Sequence, residues 1–212
     1  MGRIKVVTCL IIFCMASALF GGIELAKAIK EGDAKKVGEI IKEDPKLVNT
    51  EISSYGLPLF LAVGKGEVEI VKLLLDNGAD IKEVHPQSKD NVVFRLLESP
   101  QTETNFKKAI EIIELLKEKK ADFNAINREK MTPLYYFATG TNTKKSIESK
   151  VLFIEALIKA GAKVDIKLKR DEPLLNAVLM KVIASDPTHV EIAKLLIKHG
   201  ALVNGKSSKK SD

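Results

Sequence analysis

Tryptophan is absent from this 212-residue chain, and eight phenylalanines and three tyrosines supply all of its aromatic rings. A single-strand nucleic-acid surface stacks bases on rings along a basic groove, and here there is little to build one from. The net charge of +6 is spread along the sequence apart from the lysines of the tail, Lys206, Lys209 and Lys210. A dispersed excess is a solvated surface rather than a phosphate-binding stripe, so nucleic acid is not an expected partner. Cysteine is confined to Cys9 and Cys14, and histidine to His85, His189 and His199. The motifs H-E-x-x-H and G-x-S-x-G and the glycine-rich phosphate loop are missing. His189 and His199 stand nearly three helical turns apart, too far to serve as joint ligands. Carboxylates sit among lysines at helical spacing, as in Glu111, Glu114, Lys117 and Glu118, which is the pattern of a solvated helix face. No catalytic residue, metal site or cofactor emerges, and the expectation is a chain that is not an enzyme.

The first residues differ in kind from the rest. Arg3 and Lys5 precede an uncharged run from Val6 to Ile23, and Ala16 and Ala18 place small residues on either side of Ser17. A basic start, a short apolar run and a small-x-small site are the pattern of a secretory signal peptide over residues 1–18, cleaved after Ala18. Such a leader implies export to a periplasmic or extracellular space. The alternative is a membrane anchor through residues 6–23, which is only just long enough to span a bilayer. Lipidation at Cys14 fits poorly, because Phe13 is bulky and apolar residues continue beyond it. Cleavage removes both cysteines, so the mature chain has neither a disulfide nor a thiol nucleophile.

Self-similarity organises what remains. Leu59, Ala62, Gly66, Val71 and Leu75 lead to the closing element Asn77-Gly78-Ala79-Asp80-Ile81. Thirty-four residues earlier, Leu25, Ala28, Gly32, Val37 and Ile41 repeat the same types. The closing element returns at Lys119-Lys120-Ala121-Asp122, at Ala160-Gly161-Ala162-Lys163 and at His199-Gly200-Ala201-Leu202. An apolar helical stripe precedes each copy: Ile112, Ile113 and Leu116; Ile154, Leu157 and Ile158; Ile192, Leu195 and Leu196. Thr132 is suited to cap a helix that starts at Pro133, and Gly78, Gly161 and Gly200 to end helices in left-handed conformations. Thr188 and Glu191 have capping-box spacing after Pro187.

This pattern resembles the ankyrin repeat, most closely in the loop from Asn124 to Met131 followed by Thr132, Pro133 and Leu134. The resemblance implies an all-α solenoid of about five helix-turn-helix units, over 22–51, 52–84, 85–126, 127–166 and 167–204, with a polar basic tail over 205–212. The closing elements at Gly78, Lys120, Gly161 and Gly200 lie 42, 41 and 39 residues apart. That exceeds the usual ankyrin period of about 33, and the extra polar residues are expected in longer inner loops or added helical turns. The third unit is the least regular: its first helix is expected over 91–97, with Arg95 near a place usually filled by alanine. Lys120 takes the place of the closing glycine, where a left-handed lysine costs about 1 kcal/mol.

The resemblance further implies a protein partner, bound at loop tips and along the inner helices. Aligned on the family, the tip residues are Ser53, Ser54 and Gly56 with Lys65, then Arg128, Glu129, Lys130 and Met131, then Lys167, Lys169, Arg170 and Asp171. Tyr135 and Tyr136 are the candidate anchors. Arg128, Lys130, Lys169 and Arg170 together point to an acidic surface on the partner. A membrane-tethered adaptor and a small-ligand sensor are the alternative roles on the same fold. A repeat stack with polar ends is expected to be monomeric.

Overall fold

The computed structural model describes residues 20–52, 56–97, 103–140, 147–165, 173–183 and 187–202. The expected leader, its cleavage site and the basic tail lie outside them. The chain divides into two compact units, Met1–Ile81 and Lys82–Asp212.

In the first unit, helix α1 over 20–31 buries Leu25, Ala28 and Ile29, the i, i+3, i+4 spacing of one apolar face. It ends at Gly32, whose φ is +71°. The Asp33 N–H donates to the Ala28 carbonyl at 3.0 Å. The Asp33 carboxylate in turn accepts from the Lys36 N–H at 2.9 Å, opening α2 (Ala34–Glu43). One residue thus closes one helix and caps the next. A short 3-10 turn, Pro45–Asn49, leads toward α3 (Pro58–Lys65), which is buried from Pro58 through Gly64. Gly66, at φ +73°, turns the chain into α4 (Val68–Asp76), whose Ile70, Val71, Leu74 and Leu75 complete the core.

The second unit opens with a single antiparallel bridge between Val84 and Asn91. The α-helix expected over 91–97 is instead a 3-10 segment, Val92–Leu97. Asn91 is the local cause. Its Oδ1 accepts from the Val93 N–H at 3.2 Å while its Nδ2 donates to the Asp122 carbonyl at 2.7 Å. A tight i→i+2 contact and two consecutive β-branched valines both disfavour an α-helical start. The added residues of this repeat join α5 (Glu103–Glu118) as an extra turn in part, and residues 98–102 lie outside the described segments. Then follow α6 (Pro133–Thr139), α7 (Ile147–Lys159), α8 (Leu174–Ile183) and α9 (Pro187–Lys198). Thr132 caps α6 as expected, its hydroxyl accepting from the Tyr135 N–H at 3.2 Å. α9 begins at Pro187, so Thr188 lies inside the first turn rather than at the cap, and Glu191 pairs with Lys194 at 2.7 Å. Proline fixes the helical φ one residue earlier than the capping-box spacing suggests.

All four closing elements adopt one turn. The N–H groups of Ala79, Ala121, Ala162 and Ala201 donate to the carbonyls of Leu74, Leu116, Leu157 and Leu196 at 2.9–3.0 Å. The residue before each alanine is left-handed: Gly78 at φ +84°, Lys120 at +62°, Gly161 at +111° and Gly200 at +87°. This is the Schellman closure, which satisfies carbonyls that the helix end leaves bare. Beside Gly78, Gly161 and Gly200 nothing lies within 4 Å of where a Cβ would stand. A lysine therefore fits at the equivalent place, and its penalty is the backbone conformation alone.

A polar clasp links successive pairs inside each unit. Asn49 donates from Nδ2 to the Gly78 carbonyl at 2.9 Å and accepts on Oδ1 from the Asp80 N–H at 2.8 Å. Asn124 makes the same two bonds to Gly161 and Lys163, at 2.9 and 2.8 Å.

Candidate functional site

The loop from His85 to Asp90 closes on itself through the His85 N–H, which donates to the Asp90 carbonyl at 2.8 Å, and the Lys89 N–H, which donates to the His85 carbonyl at 2.9 Å. The loop from Asn127 to Met131 is built on Asn127, a buried amide. Its N–H donates to the Met131 carbonyl and its Oδ1 accepts from the Met131 N–H, both at 3.0 Å. The two loops are tied together. Asn127 Nδ2 donates to Asp90 Oδ1 at 3.0 Å, and the Arg128 N–H donates to the Ser88 carbonyl at 2.8 Å. Each tip carries an exposed left-handed lysine, Lys89 at φ +60° and Lys130 at φ +65°. Glycine adopts that conformation without penalty, so at both tips a lysine side chain is carried at the expense of backbone comfort.

Between these loops and the start of α6 lies a cleft of about 390 Å³, lined by Gln87, Ser88, Asp90, Phe94, Asn127, Arg128, Glu129 and Tyr136. Tyr136 is 48% exposed. Its ring stands edge-to-face with Phe94 at 6.1 Å and with Phe137 at 5.4 Å. Phe137 continues to Phe153 at 5.2 Å, and Phe153 to Phe106 at 5.8 Å. Phe106, Phe137 and Phe153 are buried. A sequence poor in aromatics has thus placed five rings in one series, four of them buried, Phe94 included, and Tyr136 alone among the five reaching the surface. Each contact of this geometry adds about 0.5–1.5 kcal/mol beyond burial, so Tyr136 is a braced ring rather than a loose one.

The expected site residues separate under this geometry. Arg128 and Tyr136 line the cleft, and Lys130 is exposed on its outer tip. Met131 and Tyr135 are half-buried, and the backbone N–H of each serves a loop or cap bond. Lys65 lies exposed at the end of α3 in the first unit. Gly56 is buried at φ +73°, with its carbonyl accepting from the Ile52 N–H at 2.9 Å, so it turns the chain and offers no surface. Ser53, Ser54, Lys167, Lys169, Arg170 and Asp171 lie outside the described residues. Sequence reasoning missed Gln87, Ser88, Asp90, Phe94 and Asn127. A usable signal was their register, because 85–90 precedes Asn91 as 127–131 precedes Thr132.

Among the described residues no group of three histidine, cysteine, aspartate or glutamate side chains is placed to hold a metal ion. His85 turns Nδ1 toward Ser88, at 3.3 Å from its N–H and from its hydroxyl. His189 is fully buried in α9.

Helix pairs joined by left-handed turns, ended by the same Schellman closure and clasped by recurring asparagines define a helical-repeat protein. The ankyrin-repeat family model matches residues 57–85, the segment that contains α3, α4 and the first closing turn. An ankyrin repeat protein of fowlpox virus (strain NVSL) is 36% identical over 59 residues, which is 28% of this chain and 8% of that protein. This chain carries an ankyrin repeat over residues 57–85, and its described residues are all-α as the sequence implied. It corresponds to a small part of the viral relative. Repeats of this family are in general interaction modules rather than enzymes.

Proposed function

We propose that this chain is a non-catalytic binding protein and that a partner protein docks on the cleft over Tyr136. The observation that carries this reading is a half-exposed tyrosine braced by Phe94 and Phe137 within walls of hydrogen-bonded backbone. Rigid aromatic residues in concave, pre-ordered surroundings supply most of the affinity at protein interfaces. Arg128 and the outer Lys130 are proposed to meet acidic groups of the partner, and Lys169 and Arg170, which lie outside the described residues, are proposed to add to that preference. The leader is proposed to direct export to the periplasm or beyond, with release after Ala18 and a monomeric mature chain. A small-ligand sensor is the second reading, favoured by a cleft volume within the range of ligand pockets.

Affinity capture from the native compartment, run in parallel with the wild-type chain and Tyr136→Ala, tests the site. A partner held through this cleft is lost from the variant, with affinity reduced by about 2 kcal/mol or more. Equal recovery by both chains contradicts the reading. The mass of the exported protein tests the leader: a chain starting at Leu19 supports release, whereas an intact Met1 or a lipid adduct supports an anchor.

A further inference from the structure

We infer that the cleft receives a basic side chain, arginine above all, from the bound partner. This rests on the reading of the cleft as a protein-binding site and adds the chemistry of its occupant. Two independent features give the same sign. The first is charge: the lining carries the carboxylates of Asp90 and Glu129 against the single guanidinium of Arg128. A carboxylate guest meets two like charges and one opposite charge, and a cation meets the reverse. The second is the ring of Tyr136, since the face of an aromatic ring attracts cations and repels anions.

Geometry agrees with a guanidinium rather than an ammonium guest. Asp90 is held in orientation by Asn127, which occupies Oδ1, so the carboxylate plane is set before the guest arrives. A planar, forked donor can answer a fixed carboxylate and lie flat on an aromatic surface together, whereas a lysine offers a point charge. Two of the wall carbonyls are already engaged, that of Ser88 accepting from the Arg128 N–H and that of Asp90 from the His85 N–H. The charged side chains and the Tyr136 ring then dominate the selection of the guest. The acidic preference proposed for the partner belongs to Arg128 and Lys130, and the cationic one to Asp90, Glu129 and the Tyr136 ring, so the fitting ligand is a basic residue with acidic neighbours.

A phage-displayed library of random heptapeptides, selected in parallel on the full chain and on its Tyr136→Ala variant, tests this. Peptides retained only by the wild-type chain should share an arginine or lysine at one position. In synthetic versions, replacing that arginine by citrulline, of equal shape and no charge, should weaken binding about tenfold. Glu129→Gln should weaken the arginine peptide while leaving the melting temperature unchanged, because Glu129 is exposed. Carboxylate or purely apolar consensus residues overturn the inference, as do equal binding of citrulline and the absence of any Tyr136-dependent enrichment. The two readings fail separately. An acidic or apolar consensus that depends on Tyr136 keeps the cleft as a binding site and removes its cation preference. A native partner indifferent to Tyr136→Ala removes the interface while leaving the peptide selectivity measured here.

Discussion

Asp165 occupies the place that Asn124 fills one repeat earlier, yet it holds one of the two bonds. Its Oδ1 accepts from the Leu202 N–H at 3.1 Å, as Asn124 accepts from Lys163. A carboxylate has no N–H to offer, so the Gly200 carbonyl loses the donor that Asn124 gives to Gly161. Asp165→Asn should therefore stabilise the chain by up to about 1 kcal/mol, the net worth of one exposed hydrogen bond. Thermal unfolding followed by circular dichroism checks it, with a rise of about 2–4 °C for 1 kcal/mol. A fall in melting temperature contradicts the equivalence of the two positions.

Among the described residues three lysines are left-handed, and they divide by role. Lys120 closes α5 where the other three closing turns use glycine. Lys120→Gly should raise stability by about 1 kcal/mol and leave partner binding unchanged. Lys130→Gly, at the rim of the cleft, should raise stability by a similar amount and weaken binding. A chain in which Lys120→Gly lowers the melting temperature is incompatible with the turn described.

Thr132 links stability to the site. It is buried, and its hydroxyl satisfies the Tyr135 N–H at the start of the helix that carries Tyr136. Thr132→Ala should cost about 1–2 kcal/mol by removing the cap, and Thr132→Ser should recover most of it. Equal melting temperatures for the alanine and serine variants would show that the cap contributes nothing.

The repeat was legible because its signals are local and recur. An apolar stripe, a left-handed residue and an alanine in fixed order require the same turn wherever they occur, which is why Lys120 could be assigned a left-handed backbone from its neighbours alone. The cleft was half legible. Arg128 and Tyr136 belong to the repeat's own tip and inner helix, so register places them. Asp90 and Phe94 come from the preceding repeat, and Asp90 is met by the Asn127 side chain across 37 residues. No local pattern encodes that distance. The 3-10 geometry of 92–97 escapes the local pattern for the same reason: Asn91 commits its side chain to the Asp122 carbonyl, 31 residues away, and the tight turn follows.

Site-specific photocross-linking tests the account most directly. A cross-linking amino acid placed at Tyr136, and in a second chain at Lys117 on the exposed face of α5, is activated in the native compartment. The account predicts a discrete protein adduct from position 136 and none from position 117. Adducts from position 117 alone, or from neither, would contradict it.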